Sequence, residues 1–83
     1  MGDKLQKILR RFPNKCEIIR RLIAKNPDFR TICEDYGDCI NALQYWRQSS
    51  ASQAEDRVNE YQTLVDELEK EIVEALVAAD KMT

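Results

Sequence analysis

Histidine is missing from this chain altogether, and that absence removes whole classes of chemistry before any pattern is sought. The common zinc sites mix thiolates with imidazoles, and helical di-iron sites need a Glu-x-x-His step, so neither is available. Three cysteines, Cys16, Cys33 and Cys39, cannot all pair with one another and lack the close spacing of a redox pair or zinc knuckle. Each has apolar neighbours and reads as a small buried hydrophobe in a reducing compartment. Only two glycines and two prolines occur, and neither a glycine-rich phosphate loop nor a nucleophile elbow is present. The longest apolar run is Ala75 to Ala79, far short of the ~20 residues of a membrane helix. Lys4, Lys7, Arg10 and Arg11 interrupt Leu5, Ile8 and Leu9, so no export signal is expected and a cytoplasmic address is the default.

What the chain does have is rhythm. Phe29, Ile32, Tyr36, Cys39, Leu43 and Trp46 step by three and four, and Ala54, Val58, Tyr61, Val65, Leu68 and Ile72 step the complementary way beyond a serine-rich stretch. A strip with that spacing occupies one side of a helix. If the chain folds back near Ser50, the strips meet rung by rung, Trp46 with Ala54 at the tip and Phe29 with Ile72 at the far end, as in an antiparallel helical hairpin with coiled-coil spacing. With 43% apolar and 34% charged residues, the 83-residue chain reads as one helical domain, residues 1–83, and its size implies a thin core. Short basic helices fill 1–26, and the hairpin fills 27–80 with its turn near 49–52.

Helix starts are marked by Asp3 with Gln6, Asn14 with Glu17 and Ser52 with Glu55, three capping boxes, and by Asn26 before Pro27. They predict helices over 4–11, 14–25, 27–48 and 52–80. The second could extend the third through a kink at Pro27 or fold across the hairpin. The same pairing arithmetic sets Leu22 opposite Ala79 and Ile18 opposite Met82, which makes helix two the cover for the overhanging end of the last helix. Cys33 and Ile40 flank one strip, and Leu64 and Leu76 the other, so the apolar surface is wider than a two-helix seam needs. Either the N-terminal helices or a second copy must fill the groove; a homodimer forming a four-helix bundle is the more usual solution. Gly37 weakens its helix and reads as a tolerated surface glycine, the alternative being a contact point for a partner backbone.

Charge is split along the chain, with ten cations and six carboxylates in residues 1–50 and three cations and nine carboxylates in 51–83. Basic N-terminal helices lying against an acidic last helix would explain the split. The sharper alternative is a nucleic-acid patch made of Arg10, Arg11, Arg20, Arg21, Lys25 and Arg30; the acidic helix competes for those cations, and no helix carries a recognition pattern. Glu67, Glu71 and Glu74 beside Lys70 read as a solvated face with local ion pairs. Tyr45 next to Arg47, near the tip and turned from the seam, matches the composition of interface hot spots; its competing place is over the loop or on helix one.

The run Asn26-Pro27-Asp28-Phe29, then Ile32, Tyr36 and Ile40, with Leu64, Asp66, Leu68 and Glu71-Ile72 downstream, resembles the YdcH-like family of short bacterial helical-hairpin proteins over roughly residues 18–76. The resemblance implies a hairpin and carries no enzymatic activity with it. Asp66-Glu67-Leu68-Glu69 departs from the family, whose second helix tends to be lysine-rich.

The expected protein is an all-α hairpin with two short N-terminal helices. It acts as a protein–protein interaction or regulatory module without catalysis, cofactor, metal or membrane, on a protein partner and as a homodimer. Partner-binding candidates are Tyr45, Arg47, Leu64 and Leu76, with Arg10, Arg11, Arg20 and Arg21 serving the nucleic-acid alternative.

Overall fold

A computed structural model describes residues 3–81, which form four α-helices and no strand: α1 (Asp3–Arg11), α2 (Cys16–Lys25), α3 (Pro27–Arg47) and α4 (Ala54–Lys81). The two long helices pack side by side as a hairpin, and α1 and α2 lie against it. Their antiparallel sense is visible in two cross-links: the Tyr36 hydroxyl donates to Glu69 at 2.8 Å, and Arg47 donates to Gln62 Oε1 at 2.8 Å. The rungs expected from the heptad spacing form the core, with Phe29, Tyr36, Leu43, Ala54, Val65 and Ile72 all buried.

Local signals explain the boundaries. Asn26 caps α3, its Oδ1 accepting from the Phe29 amide at 3.1 Å, and Pro27 follows where no amide is needed. The extended backbone of Asn26 (φ −126°, ψ 101°) also separates α2 from α3, and α2 rests on both long helices rather than simply prolonging one. The other caps differ from expectation. Pro13 opens a 3-10 turn over Pro13–Lys15, which places Asn14 inside the turn, and α2 then begins at Cys16 without a side-chain cap. Helix α4 begins two residues after Ser52, which lies in the preceding turn. Ser49 is the serine that ties the tip, its Oγ accepting from the Ala51 amide at 3.1 Å. The side chain of Asp3 and all of Met82 lie outside the described residues.

The apolar surplus of the hairpin is covered on one side only. Leu5 and Ile8 of α1 and Ile19 and Ile23 of α2 are buried in the same cluster as the hairpin rungs, each side chain contributing about 1.5–3 kcal/mol. Cys33, wholly buried among them, has its thiol pushed up to about 12, first by burial and then by the charge of Glu34, so it remains an unreactive thiol.

Gly37 is the pivot of this covering. It is buried, not a surface glycine, and a methyl group built on it would lie 2.5 Å from the Lys4 carbonyl oxygen and 2.6 Å from Lys4 Cα. The backbone of α1 crosses α3 at the one position that lacks a side chain. The close backbone approach that the sequence offers as the alternative is the one realised, and the partner is a helix of the same chain.

Candidate functional site: the open face of the hairpin

The residues that sequence alone marks for binding scatter once folded. Leu76 is 4% exposed and belongs to the core, which removes it as a partner contact, whereas Leu64 is 43% exposed. Twelve residues separate them, about 120° around a helix of ~100° per residue, so the two leucines flank the seam of α4 on opposite sides. Tyr45 is 65% exposed and meets the Trp46 ring edge-on with centroids 5.1 Å apart; it lies by the loop residues Gln48, Ser49 and Ser50, not against α1. Arg47 is occupied in stitching α3 to Gln62.

The basic residues do not gather into one free patch. Arg11 pairs with Glu69 at 2.7 Å, Arg21 with Glu17 at 3.1 Å and Arg30 with Glu34 at 3.9 Å. Arg10 and Arg20 are exposed on different helices. Together with Lys15–Asp80 at 3.0 Å, the Arg11–Glu69 pair shows the basic N-terminal segment fastened to the acidic last helix, as the charge split implied.

Glu69 is the hub of that fastening, since one of its oxygens accepts from both Arg11 and Tyr36 and so joins α1, α3 and α4. Burial by itself would raise its carboxyl, but the hydrogen bonds from Arg11 and Tyr36 and the charge of Arg11 outweigh it, and the group sits below its ordinary value of 4.5. Burial first, and then Glu69, push the Tyr36 phenol up, so it stays a donor. A carboxylate with a depressed folded pKa stabilises above the unfolded value and loses that contribution as pH falls through the folded one. Glu69→Gln is therefore expected to lower Tm near neutral pH, with the gap to wild type closing below about pH 4.5. A thermal melt series by circular dichroism checks this, and a gap that widens in acid contradicts it.

What remains is the side of the hairpin away from α1. Around α3, Gly37 faces α1, while Asp35 and Cys39 lie two residues to either side, about 160° away at ~100° per residue. Here α3 and α4 leave a groove of about 310 Å³ with Cys39, Leu64 and Leu68 on its floor and Asp35, Asp38, Glu67 and Glu71 around it. Asp38 is paired with Lys4 at 3.2 Å. Further along, α2, α3 and α4 enclose a second groove of about 370 Å³, floored by Ile18, Leu22, Phe29, Ala75, Ala78 and Ala79 and bordered by Arg21 and Lys25. Leu22 and Ala79 both line this groove.

Both grooves belong to one surface. The α4 residues that line them, Leu64, Glu67, Leu68, Glu71, Ala75, Ala78 and Ala79, recur at three, one, three, four, three and one, which is a single side of a helix. Sequence reading marks Leu64 for binding and gives the alanine end to helix two as covered surface, not as the lining of a groove. Its signal was the cluster of three small residues near the end of α4, which lets α2 and α4 leave a hollow between them. Among the described residues, no group of three or more Cys, Asp or Glu side chains is placed to hold a metal ion, and no helix is long and apolar enough to cross a membrane. Comparison with protein-family models, with curated proteins and with solved structures returns no match for this chain.

Proposed function

We propose that this protein is a helical interaction module, without catalysis of its own, that binds a helical protein surface along the open face of α3 and α4. One observation carries the reading: two grooves with apolar floors lie along a single side of α4, one between α3 and α4 and the other walled also by α2, while α1 covers the opposite flank of the hairpin. Exposed apolar strips of this kind, bordered by charge, mark association sites on soluble domains. A further helix laid into the furrow would complete a bundle, which is the general way an unpaired helical seam is satisfied. The nucleic-acid reading draws less support, because three of its six cations are held by carboxylates of the same chain.

A photo-crosslinking residue at position 64 tests the module directly. Irradiated in the native lysate, it is expected to form a protein adduct, self or foreign, that the same residue at the exposed outward position Lys70 does not form. No adduct at 64, or the same adducts at both positions, overturns the reading.

A further inference from the structure

We propose that the occupant of the open face is a second copy of this chain, docked antiparallel about a two-fold axis so that the acid-bordered groove of each copy covers the base-bordered groove of the other. The inference rests on the interaction-module reading and names its partner. A two-fold axis brings a surface against itself, so a self-docking face must be complementary to its own rotated image. This face has that property along its length. Toward the hairpin tip its border carries Asp35, Glu67 and Glu71, for which no ion pair is formed among the described residues. Toward the other end its lining carries Arg21, paired with Glu17 of the same helix at 3.1 Å, and Lys25, for which no ion pair is formed among the described residues, and no carboxylate.

Rotation by half a turn about a point between the grooves puts acid opposite base twice, and apolar floor opposite apolar floor. A parallel arrangement would set like charges against each other. A purely basic helical ligand would satisfy the tip-side groove and be repelled at the other end, so a face bearing both signs favours a partner with the same two-part pattern. The molecule is 49 Å long and 22 Å wide, enough for a face-to-face contact to approach the ~800 Å² per partner of specific interfaces. The result would be a bundle in which α2, α3 and α4 of each copy meet their counterparts, with α1 on the outside of both.

Charge reversal tests the register as well as the dimer. Arg21, Lys25, Glu67 and Glu71 are all exposed, so reversing them leaves the core intact, which circular dichroism verifies. Sedimentation equilibrium on wild type should show a dimer. Arg21→Glu with Lys25→Glu makes the face wholly acidic, and Glu67→Lys with Glu71→Lys makes it predominantly basic; each double variant alone should self-associate at least about tenfold more weakly. Mixed one to one, the two variants present opposite faces twice over and should recover a heterodimer. Recovery on mixing also shows that both variants are folded. A wild type that stays monomeric at its solubility limit, a dimer that neither reversal weakens, or a mixture that fails to reassociate overturns the proposal. If wild type is monomeric while position 64 crosslinks a foreign protein, the self-docking inference fails and the interaction-module reading stands.

Discussion

Replacing Gly37 with alanine is expected to destabilise this protein by about 1–3 kcal/mol, the usual penalty for forcing atoms into a filled site. Helix propensity argues the other way, since alanine in mid-helix is worth about 1 kcal/mol over glycine. Geometry decides between them. The added methyl would approach the Lys4 carbonyl oxygen to 2.5 Å and its Cα to 2.6 Å, and these are backbone atoms that no rotamer change can remove. Relief requires α1 to lift from α3, and α1 holds Leu5 and Ile8 in the core, each worth about 1.5–3 kcal/mol when buried. Urea unfolding followed by circular dichroism measures the difference. A variant at least as stable as wild type would show that α1 does not rest on Gly37.

The second large effect separates two leucines that look alike in the sequence. Leu76→Ala is expected to cost about 2–4 kcal/mol, because it leaves a hole in a filled cluster, whereas Leu64→Ala should change folding stability by no more than about 0.5 kcal/mol. The exposures of 4% and 43% are the reason. The comparison belongs at high dilution, where association adds nothing to the stability of Leu64. Equal shifts in the denaturation midpoint would mean that Leu64 is as buried as Leu76 and would remove the open face.

These two predictions also mark where the sequence was informative. Hairpin and rung order were legible because apolar spacing along a helix maps directly onto one of its sides, and because two strips of mirrored spacing have one way to meet. Asn26 and Pro27 announced α3 for an equally local reason, since a cap acts within four residues. Asn14 and Ser52 show the limit of such signals. A proline one residue earlier converted the first start into a 3-10 turn, and the tip settled on the Ser49 hydroxyl instead of Ser52. Leu64 was recognised as surplus apolar surface, but spacing alone could not say which flank α1 and α2 would take, so Leu76 was grouped with it. The alanine end was legible as apolar surface for helix two to cover, but not the hollow that α2 leaves there, which depends on how the two helices pack.

The amino-acid sequence by itself determined that this protein is helical, where α3 begins, and which side of each long helix turns inward, because these follow from the period of the helix and from short-range capping. Only the tertiary structure decided that α1 crosses at Gly37, that Glu69 binds three helices together, and that α1 takes one flank of the hairpin and leaves the other open. Those features join residues tens of positions apart in sequence. Periodicity tells where apolar surface lies around a helix axis, and it carries no information about which neighbour arrives to cover it.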